Sequence, residues 1–301
     1  MNRRGWVLFL AMALIWGLPY LLIKVAVGEV SPVVVVFVRC AIGAALLLPW
    51  TVIRGQLWPA LRHWKALLVF TVLEMTGPWL LLSYAETSLS SSLTGLLVSA
   101  VPFVAALTAR LAGDEDRLTP VRIAGMLLGL LGIVVLLGLD VGGSELLPLA
   151  AVALVVVGYA TAPTVVMHKL ADVPGVAAAS IALFVTAVVY APFAVPRLGE
   201  VDDASGNVLL SLAVLGVICT ALALALFFAL IREVGPQRAL VITFLNPAVA
   251  VLLGVLLLDE PFTLGLGIGL PVILVGCVLA TRRSTAREVV PVPAVDVPER
   301  G

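Results

Sequence analysis

The sequence predicts an all-α integral membrane protein of about ten transmembrane helices, arranged as two inverted five-helix repeats. Three observations predict this class: an apolar composition, evenly spaced apolar runs, and motifs that recur at one offset. Of the 301 residues, 62% are hydrophobic and 12% are charged, whereas soluble domains have roughly 45–50% apolar and 25% charged residues. Because so few polar residues could not cover a soluble fold of this size, lipid is the expected solvent.

The long apolar runs define the spans and their orientation. Each run approaches the roughly 20 residues that a helix needs to cross the hydrocarbon core, and the runs cover 6–27, 32–51, 66–85, 89–111, 121–139, 147–167, 175–195, 208–230, 239–258 and 264–281. With the N-terminus cytoplasmic, 15 of the 18 Lys and Arg residues lie in inner segments. Basic residues favour cytoplasmic connections, so we expect a multi-pass protein of the cell inner (plasma) membrane with both termini cytoplasmic.

An internal repeat is indicated by motifs that recur 144 or 145 positions apart. The matches are Pro19 with Pro163, Pro102 with Pro247, the Asp-Glu pairs 114–115 and 259–260, Gly125 with Gly269, and Gly132 with Gly276. The alternative is a chance alignment of apolar helices. Five spans are an odd number, so a second repeat would be inverted, as in many secondary transporters. We therefore expect repeats at 1–140 and 146–283, followed by a disordered cytoplasmic tail at 284–301 that is rich in proline and charge.

Four segments carry a resemblance to a known family. They are IWGLPYLLIKVA (15–26), Pro32 followed by Arg39, SLTGLLVSAVPFVAALTARLAGDEDRLTPVRIAGMLLGLLG (92–132) and NPAVAVLLGVLLLDEPFT (246–263). Together they resemble the EamA-type branch of the drug/metabolite transporter superfamily, over nearly the whole chain up to about residue 283. The resemblance implies a ten-helix inverted-repeat fold that moves metabolites, often amino acids or related compounds. Two features depart from the family pattern: the sixth span lacks an expected tryptophan, and 86–94 is rich in serine.

Two charged residues lie well away from the ends of their predicted spans, at a depth where a charge costs at least ~2.5–3.5 kcal/mol. Glu74 is about eight residues into the third span, and Arg39 is seven residues into the second from the opposite side. At about 1.5 Å per residue in a core of about 30 Å, their backbones differ by about 8 Å in depth. The functional hypothesis is that Glu74 binds a proton or substrate and Arg39 modulates its charge. The alternative is a structural ion pair between two helices.

Further candidates are aromatic, polar or proline residues in the same spans. Trp16, Tyr20 and Trp79 could stack on a cationic or aromatic solute or act as packing and interfacial anchors. A proline frees backbone carbonyls at membrane depth, so Asn246 is a binding candidate beside Pro247. Gating candidates are Pro102 and Pro247, which could instead be packing bends, and Lys24, which could instead snorkel to the interface.

Several classes of function lack support in the sequence. No nucleotide, dinucleotide or serine-hydrolase motif occurs, and the two histidines and three cysteines lack metal-ligand spacing. We therefore expect no enzyme activity, cofactor or metal, and the zero net charge gives no indication of a nucleic acid partner. The Asp-Glu pairs are expected to be solvated helix caps, and the glycines to allow close helix packing within the chain or in a homodimer.

The resulting hypothesis is a secondary transporter that exports small metabolites by alternating access, with a small-molecule solute and the lipid bilayer as its partners. A lipid-linked or nucleotide-sugar carrier is one alternative, but it should place more basic residues near the cavity than Arg39 and Lys24. A non-transporting membrane scaffold is another alternative. The charge of Glu74 inside a span and the broken helices argue against a scaffold, because it would gain nothing from their cost.

Overall fold

The computed structural model describes residues 2–111, 119–140, 145–235 and 239–280, and every regular element in these ranges is helical. Eight helices are long and apolar enough to cross a membrane, and two further apolar helices are shorter. We number them α1 (Arg3–Ala26), α2 (Pro32–Ile53), α3 (Trp64–Ala85), α4 (Ser91–Thr108), α5 (Pro120–Gly138), α6 (Leu146–Lys169), α7 (Gly175–Arg197), α8 (Gly206–Val234), α9 (Val241–Leu257) and α10 (Leu264–Ala280). All ten lie where the sequence predicted them. The predicted tail 284–301 and the pair Asp114-Glu115 fall outside the described residues.

Two of these helices contain a π-helical turn. In α3 the turn spans Val72–Thr76, and in α8 it spans Val217–Leu222. Such turns interrupt the regular pattern of backbone hydrogen bonds and occur frequently at functional sites. Both turns lie well inside their helices, so they alter the bundle at membrane depth.

Two other helices are broken just before a proline. In α4 a turn at Ser99 and Ala100 precedes a helical segment that continues beyond α4 as Val101–Leu111. A 3₁₀ segment, Leu240–Phe244, overlaps the start of α9 and precedes Asn246–Leu257. Pro102 and Pro247 therefore lie in the first turn of a restarted segment, where a missing N–H costs no intrahelical bond. The predicted proline-associated breaks are confirmed, while a role in gating stays a prediction.

The principal helix contacts join the first five helices to the last five. The helix α5 packs on α10, α2 on α7, α4 on α9, α3 on α6, and α1 on both α8 and α9. Helices five apart in the chain correspond to one another, α1 to α6, α2 to α7 and so on. Under this correspondence, the contact between α1 and α8 has its counterpart in the contact between α6 and α3. The buried core of the described chain is thus shared between these two groups of helices.

The contact between α5 and α10 depends on glycine. A Cβ on Gly276 would lie 2.5 Å from the backbone nitrogen of Gly129, and one on Gly125 would lie 2.4 Å from that of Ala280. Any larger residue would force the two backbones apart, as expected for close helix packing in membranes. The predicted packing role of these glycines is confirmed, within the chain.

Hydrogen bonds gather four connections at one end of the bundle. We call this the distal end, and it comprises the connections 27–31, 86–90, 198–205 and 258–263. At the opposite end the N-terminus is fastened to α8, because Asn2 Nδ2 donates to Glu233 Oε1 at 2.5 Å and Arg4 Nε lies 3.8 Å from Glu233 Oε2. Contacts between the two groups of helices therefore exist at both ends.

Candidate functional site

The centre of the candidate site is Arg39, which is buried in α2. Its guanidinium lies over the indole of Trp79, with 3.7 Å between Arg39 Cζ and the ring centroid. Its Nε donates to Thr220 Oγ1 at 2.8 Å. A cation over an aromatic face is stabilised by the ring quadrupole, so α3 and α8 hold the guanidinium from two directions.

The π-helical turn of α8 positions Thr220 for this contact. The Thr220 hydroxyl donates to the carbonyl of Leu215, five residues earlier, at 2.8 Å, and accepts from Arg39. A hydroxyl has one proton and two lone pairs, so it can serve both bonds. The sequence did not indicate this residue, because a threonine in an apolar span carries no pattern of its own.

Glu74 lies in the π-helical turn of α3 and is partly buried. The ion pair with Arg39, considered as a structural alternative, is not formed: the salt bridge found in the described part of the chain joins Arg4 and Glu233. The depth of the two backbones did not fix the rotation of each side chain about its helix axis, and Trp79 and Thr220 take the guanidinium instead. Glu74 lies within electrostatic range of the hydroxyl of Tyr159.

Two tyrosines complete the surroundings of Arg39. Tyr20 of α1 is buried and faces Gly95 of α4, where a Cβ would lie 3.4 Å from the Tyr20 ring. Tyr20 and Tyr159 of α6 both lie within electrostatic range of the guanidinium. Sequence reasoning missed Tyr159, although it lies in the sixth span, where a tryptophan was expected.

Trp16 and Asn246, also predicted for the site, make other contacts. The Trp16 ring packs against Phe227 of α8, with centroids 4.6 Å apart and an interplanar angle of 44°, which favours its interpretation as a packing residue. Asn246 lies beside α1, where a Cβ on Gly17 would be 3.3 Å from its backbone oxygen. Its side-chain oxygen is buried and has no hydrogen-bond partner within the described ranges.

Lys24 bonds the backbone of a neighbouring connection at the distal end. Its ammonium donates to the carbonyl oxygens of Glu86 and Leu89, both at 2.8 Å. These carbonyls follow the C-terminus of α3, where a cation is favoured by the helix dipole. Lys24 therefore ties α1 to the connection 86–90, and its role in gating stays a prediction.

Three helix N-termini at the distal end are bound by glutamates from distant segments. The carboxylate of Glu200 accepts from Ser31 N before α2 at 2.6 Å, and that of Glu29 accepts from Ser205 N before α8 at 2.6 Å and from the Ser205 hydroxyl at 2.7 Å. The bonds from Ser205 lower the pKa of Glu29 below its ordinary value. A carboxylate at a helix N-terminus satisfies unpaired N–H groups and complements the helix dipole.

The third of these glutamates is Glu260. Its carboxylate accepts from the backbone nitrogens of Ser91 at 2.7 Å and Ser92 at 3.0 Å, at the start of α4. Asp259 before it has a positive φ of 52°, a left-handed conformation that Asp tolerates and that ends α9. The prediction that this Asp-Glu pair forms a cap is confirmed, but the cap serves α4 and is partly buried rather than solvated.

Two cavities accompany these contacts. One of about 200 Å³ with a mixed polar and apolar lining lies at the distal end, and its lining includes Ser88, Ser90, Glu145 and Thr263. An apolar groove of about 610 Å³ runs between α2 and α7, lined by residues such as Phe37, Ala41 and Phe184. No group of three or more potential metal ligands occurs in the part of the chain that the structure describes.

Comparison with known proteins gives a consistent picture. The profile of the EamA-like transporter family matches residues 3–138 and again 146–282. An uncharacterized inner membrane transporter, YedA, from Escherichia coli strain K12 is 27% identical over 282 residues, covering 90% of this chain and 88% of YedA. An uncharacterized transporter from Archaeoglobus fulgidus is 24% identical over 282 residues, covering 93% and 99% of the two chains. A chain of known crystal structure matches with a TM-score of 0.62 at 21% identity, covering 93% of this chain and 97% of its own length, and so shares the fold.

Proposed function

The chain belongs to the EamA-like transporter family, and we propose that it is a secondary transporter that exports amino acids or related small metabolites by alternating access. The observation that carries this proposal is the pair of opposite charges, Arg39 and Glu74, which lie among the helices without bonding to each other. Charged groups in a membrane interior usually have partners or face a cavity. A solute that carries one negative and one positive group would supply a partner for Arg39 and another for Glu74.

An amino acid zwitterion fits this arrangement. The terminal nitrogens of Arg39 make no hydrogen bond within the described ranges, and a guanidinium can grip a carboxylate through two parallel bonds. We assign the solute's carboxylate to Arg39 and its ammonium to Glu74. Trp79, Tyr20 and Tyr159 then offer aromatic faces to the remainder of the solute.

The proposed architecture is two inverted repeats, 1–140 and 146–283, with both termini cytoplasmic. The family profile matches twice within nearly these bounds. The contacts between helices are also consistent with a correspondence between helices five apart in the chain. Arg39 and Thr220 join the two groups of helices at membrane depth. A site between two rocking repeats is the arrangement expected for alternating access.

The alternatives have less support from the described contacts. A lipid-linked or nucleotide-sugar carrier needs several cations for its phosphates, yet Lys24 is already engaged by backbone carbonyls. A scaffold without transport would carry the cost of a buried, unpaired Arg39 for no return. Enzymatic activity has no catalytic group of residues to support it in the described ranges.

The test is efflux from cells preloaded with a pooled mixture of amino acids and metabolites, read by mass spectrometry. We expect cells that express the protein to lose one compound class faster than cells without it. Arg39→Lys should reduce this difference, and Glu74→Gln should abolish it. Exposed residues provide matched controls, Arg62→Lys and Asp172→Asn, and these should retain efflux at equal expression. Unchanged efflux in Glu74→Gln, or no solute moved by the wild type, would contradict the proposal.

A further inference from the structure

A second buried carboxylate lies outside the Arg39 site. Glu86 follows the last residue of α3, and its side chain is 0% exposed. Neither of its carboxylate oxygens has a hydrogen-bond partner within the described ranges. Buried carboxylates are normally paired or hydrogen-bonded, because an isolated charge in an apolar environment is very costly.

The ammonium of Lys24 is close enough to bond the same residue, yet it does not bond the carboxylate. Its hydrogen bonds go to the backbone oxygens of Glu86 and Leu89, each at 2.8 Å. An ionised carboxylate beside an ammonium would ordinarily take a charge-assisted bond. The absence of such a bond favours the neutral carboxylic acid, because it avoids the cost of an unpaired buried charge.

The other charged or titratable groups that face Glu86 are Tyr20 of α1, Arg39 of α2 and Glu260 beyond α9. Burial raises the pKa of Glu86 well above its ordinary value, and Glu260 adds to the increase, whereas Lys24 and Arg39 oppose it. An acid with a raised pKa keeps its proton to a higher pH than an ordinary glutamate and loses it as the pH rises through the raised value. Geometry and electrostatics therefore agree on the protonation state.

We propose that Glu86 is a proton-binding site whose occupancy controls the contact between α1 and the connection 86–90. With the proton bound, Lys24 holds the two carbonyl oxygens, as described. When the proton leaves to water at the distal end, the carboxylate attracts the Lys24 ammonium and releases the connection. The transport consequence, coupling of solute movement to a proton gradient, rests on the proposed function.

The site also has a physical link to both the distal caps and Arg39. The connection 86–90 leads directly into α4, whose first turn is held by Glu260. Tyr20 lies within electrostatic range of both Glu86 and Arg39. A change at Glu86 can therefore affect the entrance of α4 and the surroundings of Arg39.

A bound metal cation is a weaker interpretation of the same group. A cation such as Na⁺ would need the carbonyl oxygens of Glu86 and Leu89 as ligands. Lys24 already occupies both oxygens and supplies a positive charge there. Protonation requires neither oxygen, so the proton is the favoured ligand.

Infrared spectroscopy of the full-length protein in lipid membranes tests the site directly. We titrate wild type, Glu86→Gln and the exposed-residue control Asp172→Asn from about pH 6 to pH 10, which includes the pKa of about 8–9 documented for buried glutamates. We expect a protonated carboxylic-acid carbonyl band at neutral pH in wild type and control, and its reduction in Glu86→Gln. The difference between the spectra of wild type and Glu74→Gln identifies any part of the carboxylic-acid band that comes from Glu74.

A second readout follows the proposed release of the connection. The native thiols Cys40 and Cys219 are buried near Arg39, so their alkylation by N-ethylmaleimide reports opening. We expect alkylation of wild type to accelerate as the pH rises through the midpoint of the band, and Glu86→Gln to lose that change. Thiol ionisation itself accelerates alkylation, so rates are normalised to those of the unfolded protein at each pH.

The infrared band tests whether Glu86 binds a proton, and the alkylation rate tests whether that proton controls the α1 contact. An unchanged carboxylic-acid band in folded Glu86→Gln overturns the proton site, and a band removed by Na⁺ at constant pH assigns the site to a cation instead. A lost band with unchanged alkylation overturns the control of the α1 contact. Neither readout uses a transported solute. Failure of the efflux test therefore does not affect the result for the Glu86 proton site, and failure of the Glu86 measurements does not affect the efflux result.

Discussion

Val72 and Val217 each begin a π-helical turn, and they are 145 positions apart. Pro102 and Pro247 are separated by the same number of positions, and each follows a break in its helix. The first π-helical turn carries Glu74 and the second carries Thr220. The offset of 145 positions between sequence motifs thus also separates matching irregularities of the backbone.

This correspondence has a consequence for how the site is built. A π-helical turn displaces the residues around it and leaves a carbonyl outside the regular pattern, which costs stability unless another group bonds it. Two such turns at matching positions, one of which carries the Thr220 that bonds Arg39, are more easily explained by function than by packing. They support the assignment of the solute site to this depth of the bundle.

The first prediction concerns the shape of the Arg39 guanidinium. Arg39→Lys keeps the charge but removes the Nε bond to Thr220 and the planar stacking on Trp79. Bonds to charged groups contribute about 1.5–3 kcal/mol, so we expect transport efficiency to fall by about 10- to 100-fold. Concentration-dependent efflux of the identified solute measures this loss.

Arg62→Lys is the control for that measurement, because Arg62 is exposed. Its efflux should match that of the wild type at equal expression. If Arg39→Lys transported normally, a point charge would suffice, and bidentate binding of a carboxylate would be excluded as the main contribution of Arg39.

The second prediction concerns the glutamates that bind Ser31 and Ser205. The pKa of Glu29 is lowered, so its bonds to Ser205 are present above the ordinary glutamate pKa and are lost as the pH falls through the lowered value. We expect the amide of Ser205 to exchange faster at acid pH, after correction for intrinsic exchange. At neutral pH, Glu29→Gln should show the same acceleration.

Glu145→Gln serves as the comparison for these exchange measurements. Glu145 lies at the start of α6, and its side chain makes no cap hydrogen bond, so this change should leave the Ser205 amide unaffected. Protection of Ser205 that survives both acid pH and Glu29→Gln would show that the carboxylate does not hold the N-terminus of α8.

Much of the fold follows from apolar run length alone. A span needs a minimum length to cross lipid, so α1 to α8 could be predicted to within a few residues at each end. The breaks before Pro102 and Pro247 could be predicted as well, because proline has a fixed effect on the backbone. The π-helical turns could not be predicted, because one such turn changes the helical period over too few residues to affect the composition of the span.

The site was predicted only in part, for a related reason. Arg39, Glu74, Tyr20 and Trp79 were identified because charge and aromaticity inside a span are unusual. Tyr159 and Thr220 were missed because their roles depend on which helices pack together, a long-range property. The depth of Arg39 and Glu74 suggested a contact that their helix rotations do not produce.

A third prediction tests the cap that Glu260 forms on α4. A Cβ on Gly254 would lie 2.4 Å from Glu260 Oε2 and 2.4 Å from Ser92 Oγ. Because those atoms belong to the cap, Gly254→Ala should displace the carboxylate and lower the free energy of unfolding by about 1–3 kcal/mol. Thermal unfolding of the purified protein in one detergent measures this loss.

The same substitution at Gly138 controls for the general effect of alanine in a helix. Nothing lies within 4 Å of a Cβ at Gly138, and alanine favours helix by up to about 1 kcal/mol over glycine. Gly138→Ala should therefore leave the unfolding temperature unchanged or raise it. Equal unfolding temperatures for the two variants would mean that α9 and α4 are not held as closely as Gly254 implies.

The last prediction concerns the π-helical turn that contains Glu74. Tyr190 of α7 donates from its hydroxyl to the carbonyl oxygen of Thr76, the last residue of the turn, at 2.7 Å. Tyr190→Phe keeps the ring and leaves that carbonyl without this donor, so we expect a loss of about 1–3 kcal/mol and weaker solute efflux. Tyr84→Phe, at an exposed position of the same helix as the turn, should change neither quantity. Lower stability with unimpaired efflux in Tyr190→Phe would assign the bond to packing alone and separate the geometry of the turn from transport.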